Sequence, residues 1–309
     1  MISEMRVSKQ TLIPQESGRA GAFPQPQRTS ALGGRVYTAL LSLPPFIWQL
    51  LFLVLPVAFL FIITFWSVEF FRLKPDFTLA NWAFIYSRAY FQDAYLLTFG
   101  LAALATAVIS CLAFPCAYAI AFKLRPAARQ LAFLLLILPF FTSYLVRIYA
   151  WQVVLADSGV INAVLGLFGL PAVTILNTLG GTLVGYATLC LPLVTLLQLL
   201  SLIYVDRNLI EAAHNLGCGR LETIWRVVIP SARIGIVIAA LFCFILTFGD
   251  FVSPLYLGGG LQTMLSTVII DTVKSGQQWP QAAVVAVTMI LTLLAVALAG
   301  IWLAYRRTT

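Results

Sequence analysis

Charge is scarce in this sequence. Asp, Glu, Lys and Arg together make up 10% of its 309 residues, against about 25% in a soluble globular protein. So few charges cannot give a water-facing surface to a chain that is 61% hydrophobic with a mean hydropathy of +0.95. Soluble enzymes and disordered scaffolds are therefore excluded, and a membrane protein remains. Histidine is scarcer still, since His214 stands alone. A multi-histidine metal centre, an H-E-x-x-H zinc motif and a Ser-His-Asp triad lack the residues they require, which also leaves an intramembrane enzyme without a catalytic constellation. The cysteines Cys111, Cys116, Cys190, Cys218 and Cys243 show no metal-ligand spacing. Four of them fall inside apolar runs and read as small packing residues. A G-x-x-x-x-G-K-[ST] phosphate loop is missing too, so nothing here cradles a nucleotide.

What the chain does have is long apolar runs. Six of them, approximately Phe46 to Ser67, Ala94 to Phe122, Leu131 to Val153, Gly180 to Tyr204, Ile234 to Tyr256 and Gln281 to Tyr305, are long enough to cross a hydrocarbon core, which takes about 20 helical residues. Each must be a helix, because an isolated strand leaves its backbone groups unpaired in lipid. The roughly ten-residue alternating segments of a transmembrane barrel are not seen. The fold class expected is all-α: a polytopic membrane protein with six transmembrane helices. Pro115, Pro139 and Pro192 fall within the runs and are expected to bend them.

Once the spans are drawn, the basic residues sort by side. Fourteen of the 19 Lys and Arg lie in the tail before Phe46, the loop Lys123 to Arg129, the loop Val205 to Arg233 and the C-terminal end. The positive-inside rule then puts both termini in the cytoplasm. The formal net charge of +8 becomes an asymmetry across a bilayer, and a nucleic-acid partner is not needed to explain it. Residues 1–45 read as a disordered cytoplasmic tail, rich in polar residues and proline over QESGRAGAFPQPQRTS. Residues 46–305 form the membrane domain, with a cytoplasmic loop at 205–233, and 306–309 are a cytoplasmic end. The first span starts too late for a cleaved signal peptide and reads as a retained anchor.

The loop 205–233 has internal pattern. Asp206 is placed to cap a helix in which Leu209, Ile210, Ala213 and Leu216 share a face, and Gly217 follows as a left-handed stop. A second amphipathic run, Leu221 to Ile229, sets Leu221, Ile224, Trp225 and Val228 together and ends at Pro230. A helix, glycine turn and helix this apolar must dock on something, which leaves the membrane surface and a protein partner open. The segment Glu211-Ala212-Ala213, then Gly217, then Ile229-Pro230 resembles the EAA motif of permease subunits in binding-protein-dependent ABC importers, with Ile229 where the family more often has Leu. The resemblance implies the type I importer permease fold and makes the Glu211 to Gly217 region the coupling helix that sits in a groove of a cytoplasmic ATPase.

It also implies the partners: an ATPase dimer that binds ATP and Mg, a second homologous permease, and a soluble substrate-binding protein on the outer face. This chain itself would hold no cofactor. A finer resemblance, carried by the run Leu138 to Trp151, by Phe248-Gly249-Asp250-Phe251-Val252-Ser253-Pro254, by Gly258-Gly259-Gly260 and by Trp279-Pro280, is to spermidine/putrescine-type permeases. Relatives of that kind also carry opines, other amino compounds and metal complexes. A channel or secondary carrier working without ATP is the competing class, although no inverted repeat is visible.

For the solute path, ionisable groups at membrane depth carry the information, since each is costly unless paired or solvated. Asp250 and Arg147 are the two. Asp250, between Gly249 and Pro254, suits the ammonium groups of a polyamine, and Tyr149, Trp151 and Tyr256 add aromatic faces for cation-π attraction. The alternative for Asp250 is a paired structural role, with Arg147 as partner. Arg147 repels a cation and reads as structural or as a docking contact.

Overall fold

The computed structural model describes residues 31–70, 72–260 and 262–306. The first 30 residues of the expected tail, and residues 307–309 of the expected end, lie outside the described residues. The tail does not reach residue 45, because helix begins at Ala31. Pro44 and Pro45 sit inside that helix; they remove two N–H donors, but their rings hold φ near the helical value. The chain divides between Pro56 and Val57 into two compact units. In the first, α1 (Ala31–Gln49) passes into a π-helical turn, Leu50–Val54, where Trp48 packs on Phe52 with ring centroids 4.2 Å apart. Helix continues as α2 (Leu55–Ile63), and Leu40–Ile63 is long and apolar enough to cross a membrane.

The second unit continues with an antiparallel hairpin, β1 (Ser67–Glu69) and β2 (Arg72–Lys74), in which Val68 pairs with Leu73. Next come α3 (Ala80–Tyr86) and the 34-residue α4 (Ala89–Phe122). The buried residues of α4 include Ala94, Leu101, Ala105, Ile109, Ala113, Ala117 and Ala121, a stripe at helical spacing made largely of alanine. Small residues on that stripe let backbones approach, which is how helices associate in lipid without a hydrophobic force between them. Leu96, Leu104, Val108 and Leu112 are exposed, as a lipid-facing surface requires.

The run expected as one span from Leu131 to Val153 is broken. Helix α5 (Pro126–Ile137) tightens into a 3-10 turn, Leu138–Phe141, then Thr142 and Ser143 adopt extended backbone before α6 (Tyr144–Leu155) and α7 (Val160–Leu167). Pro139 is the cause. It cannot donate to the ladder, and the hydroxyl of Thr142 donates to its carbonyl at 2.9 Å, closing the break. The apolar stretch that meets the length requirement is Tyr144–Leu167 instead. Pro115 and Pro192, by contrast, lie within unbroken α4 and α8 (Leu179–Ile203).

After α8 come α9 (Arg207–Asn215), α10 (Arg220–Thr223), a π-helical turn Ile224–Val228 and α11 (Ile229–Ser231). Then follow α12 (Arg233–Gly249), α13 (Val252–Tyr256), α14 (Leu265–Gly276) and α15 (Trp279–Tyr305). Among the described residues, five helices are long and apolar enough to span a membrane. A sixth is present if Arg220–Ser231 and Arg233–Gly249, bent by 76°, make one span. The six-helix all-α expectation holds in that form. Helices α4, α8 and α12 pack on one another at the centre, and α15 flanks them with α14.

Candidate functional site

The loop between α8 and α12 folds as its sequence pattern requires. The Asp206 carboxylate accepts a hydrogen bond from the Asn208 N–H at 2.9 Å and so caps α9. At the other end the Cys218 N–H donates to Ala213 O at 3.0 Å and the Gly217 N–H to His214 O at 3.0 Å, with Gly217 at φ +85°. That pair of bonds is a Schellman motif, which needs a left-handed residue where glycine stands. Ala213 is buried, and Ile210 packs against a cluster that includes Ala117, Ile120, Leu199, Leu202 and Val228. The loop thus docks first on the ends of its own membrane helices, a third surface beside the two left open from sequence.

Glu211 and Ala212 face outward, and the Glu211 carboxylate has no hydrogen bond or ion pair among the described residues. Around them Leu209 is 50% exposed, Leu216 85%, Leu221 74% and Trp225 70%. The shared face expected for Leu221, Ile224, Trp225 and Val228 therefore divides: Val228 is fully buried while Leu221 and Trp225 point away. Helical wheels cannot predict this, because the π-helical turn at Ile224–Val228 changes the angular step midway. Ile229, half-buried, lines an open groove of about 540 Å³ with Phe114, Tyr118, Gln198 and Trp225, and Pro230 is exposed.

The loop is tied to the bundle at the elbow. The Ser201 hydroxyl donates to Ala232 O at 3.1 Å, and the Arg233 guanidinium donates to Ala304 O. A Cβ on Gly235 would lie 2.3 Å from Ser201 Cβ, so glycine is what allows α12 to pass α8 this closely. From the elbow α12 runs about 25 Å, at about 1.5 Å per residue, to its end at Gly249. There the helix stops, at Asp250.

Asp250 is 8% exposed and its carboxylate is fully engaged. The Tyr144 hydroxyl donates to Oδ2 at 2.7 Å, the Val252 N–H to Oδ1 at 2.9 Å and the Ser253 N–H to Oδ2 at 3.3 Å. The side chain caps α13 while its own backbone breaks the span. Its partner is thus Tyr144 and not Arg147. Arg147 donates Nη1 to Thr188 O at 3.0 Å, lies over the Tyr144 ring at 5.8 Å, and has no hydrogen bond at its buried Nε. Tyr149 and Tyr256 meet edge to face at 5.4 Å, and Trp151 packs on the same cluster as Tyr144 and Tyr256. The four residues chosen from sequence are therefore brought to one region, where α6 meets α13.

A model of the binding-protein-dependent transport system inner membrane component family matches residues 109–304. The chain belongs to that family. It is 30% identical over 224 residues to the spermidine/putrescine transport system permease protein PotB of Escherichia coli (strain K12), a match covering 72% of this chain and 80% of that protein. PotB of Haemophilus influenzae is 28% identical over 222 residues, covering 70% of this chain and 77% of its own. Among solved structures, a bacterial ABC transporter that imports the acidic polysaccharide alginate aligns with a TM-score of 0.71 at 19% identity, over 90% of this chain and 99% of that one. That likeness is one of fold.

In this permease, sequence reasoning missed Tyr144, Ser253 and a pair of glycines. The Tyr144 hydroxyl meets Asp250 and also Ser253 Oγ, at 2.5 Å. Three residues lie between Gly181 and Gly185 on α8, the small-x-x-x-small spacing that marks close helix contact. A Cβ on Gly185 would lie 2.6 Å from Ser253 Cβ, and one on Gly181 2.5 Å from Leu257 O. The signal was in the sequence as G-x-x-x-G; its partner was not. Gly185→Ala is expected to push α13 off α8 and to destabilise the permease by about 1–3 kcal/mol, the usual cost of overpacking, read as a lowered thermal midpoint in detergent. An unchanged midpoint would mean that α13 yields without cost.

Proposed function

We propose that this permease forms half of the translocation path of an ATP-driven importer for a small organic polycation of the spermidine or putrescine class. The observation that carries the solute is the 30% identity, across 72% of this chain, to permeases named for spermidine and putrescine. The edge-to-face pair of Tyr149 and Tyr256 supports it, with Trp151 packed beside Tyr256, since aromatic faces attract a desolvated ammonium. Asp250 serves this reading indirectly: its oxygens are spent on Tyr144 and on α13, which carries Tyr256, so it acts on a cation through its field and by holding those elements in place.

Energy enters at the other end of α12. Glu211, free and exposed beside the apolar Leu209 and Leu216, is the charge a cytoplasmic ATPase dimer would bind, with ATP and Mg held by that dimer. The Ser201 and Arg233 ties couple loop and bundle at the elbow, so rotation passed from α9 to the elbow reaches Asp250 along α12. A second homologous permease completes the path and a soluble binding protein delivers solute outside, with both termini of this chain in the cytoplasm of a bacterial inner membrane.

One observation favours a second reading. Arg147, at membrane depth, uses one of its five N–H donors among the described residues, which suits a solute joining an amine to an anionic group, as opines do. The test is vesicle uptake by the full complex, with its ATPase and binding protein, of radiolabelled putrescine. ATP-dependent accumulation is expected. Exclusion of putrescine with accumulation of an amine-bearing anion would move the assignment to the second reading, and flux without ATP would overturn both.

A further inference from the structure

Where α4 ends, α5 begins and α9 begins, the three enclose an open cavity of about 580 Å³. Phe122, Leu124, Pro126 and Phe133 supply its apolar wall, and Arg129, Gln130 and Arg207 its polar rim. Neither guanidinium has a hydrogen bond or an ion pair among the described residues. The nearest acids do not neutralise them: Asp206 is spent on capping α9, and Glu211, one turn beyond Arg207, makes no ion pair with it. Lys123 and Arg125, in the connection between α4 and α5, add two further exposed cations.

Positive charge that gathers around a cavity with no protein counter-ion favours an anion there. The wall says which kind. Phe122 is the last residue of a 34-residue apolar span and Phe133 belongs to the apolar α5, so the cavity opens at the level where acyl chains give way to headgroups. An inorganic phosphate would use the rim and leave the aromatic wall facing water. An acidic protein surface would do the same. An amphiphile uses both.

We propose that this cavity binds an anionic phospholipid, its phosphodiester held in the forks of Arg129 and Arg207 with Gln130 donating beside them, and its acyl chains along Phe122 and Phe133. The site rests on α4 being a membrane span and not on the identity of the solute. Because Arg207 opens α9, the headgroup ties the coupling loop to the leaflet.

The full-length permease, reconstituted in nanodiscs of phosphatidylcholine with a minority of phosphatidylglycerol, tests this. Lipid retained after gentle detergent extraction is quantified by mass spectrometry. The wild type is expected to retain phosphatidylglycerol in excess of its share. Arg129→Gln with Arg207→Gln is expected to lower that excess by about fivefold per arginine removed, the weight of one basic residue at a charged membrane surface. Arg220→Gln with Arg306→Gln, which alters basic residues outside the cavity, is expected to leave it unchanged, and equal thermal midpoints show that both variants fold. Equal losses in the two double variants would reduce the effect to general positive charge and overturn the site. Displacement of the lipid by millimolar inorganic phosphate would make it a free-anion site, and loss of ATPase co-purification in pure phosphatidylcholine nanodiscs on changing Arg129 and Arg207 would make it a protein contact. Either result overturns the lipid proposal.

Discussion

Uptake by the assembled importer is expected to fall by about 10- to 30-fold when Gly217 is changed to valine. The residue sits at φ +85°, where an L side chain costs about 1–2 kcal/mol and a β-branched one more. No atom lies within 4 Å of the position a Cβ would take, so the effect comes from backbone conformation and not from a clash. Each 1.4 kcal/mol lost from the docking-competent turn is a factor of ten in its population. Gly217→Asn, which tolerates the left-handed region, is expected to lose only a few-fold. The Cys218 and Gly217 bonds to Ala213 and His214 would open in the valine variant, turning Glu211 and Leu216 away from the positions proposed to meet the ATPase. The measurement is putrescine accumulation against ATP hydrolysis by the same complex. Hydrolysis that continues while uptake falls marks lost coupling, and full uptake by the valine variant would remove the turn from the mechanism.

The second large effect is expected at Asp250. Asp250→Ala strands three donors, the Val252 and Ser253 N–H groups and the Tyr144 hydroxyl. Hydrogen bonds to a charged group contribute about 1.5–3 kcal/mol each, and the site is nearly closed to water, so this variant is expected to lose most of its folded yield. Asp250→Asn keeps the shape and one acceptor oxygen. It is expected to assemble, with a thermal midpoint lowered by a few degrees, and to reduce uptake of a dication by about tenfold while a neutral amide of similar size is less affected. Tyr144→Phe separates the two roles, because it removes one partner of the carboxylate and leaves the charge. If Tyr144→Phe and Asp250→Asn prove equal on every solute, the charge has no role beyond holding α13.

These two residues also show how much could be read without coordinates. For the loop, Asp206 and Gly217 foretold cap and stop, because capping and left-handed termination are decided within one helical turn. Of the face expected for Leu209, Ile210, Ala213 and Leu216, only Ile210 and Ala213 turn inward, and Leu209 and Leu216 are exposed. Leu221 and Trp225, expected to share a face with Val228, also part from it: Val228 is buried and they are exposed. Their exposure depends on a π-helical turn and a 76° elbow, both set by packing on α8 and not by spacing.

For Asp250 the reverse holds. Its place in a broken stretch, between Gly249 and Pro254, was legible, but its partners come from Tyr144, 106 residues away, and from its own next turn. The span Leu131 to Val153 failed for a related reason. Proline removes the bond to the carbonyl four residues back, and whether the run then bends or ends depends on the backbone that follows. After Pro139 the chain tightens into a 3-10 turn, and Thr142 donates to the Pro139 carbonyl at 2.9 Å where the helix ends.

By itself the sequence determined that the chain is a helical membrane protein, that it has no G-x-x-x-x-G-K-[ST] loop, and that one loop has the cap, glycine stop and second run of a helix-turn-helix. Those conclusions follow from composition and short-range pattern, which lipid and helix geometry constrain tightly. Only the tertiary structure decided where spans break, which carboxylate oxygen meets which donor, and that Gly181 and Gly185 face α13. Each of these depends on residues far apart in the chain meeting in space, and in a run this uniformly apolar nothing in the local pattern distinguishes the face that meets another helix from the face that meets lipid.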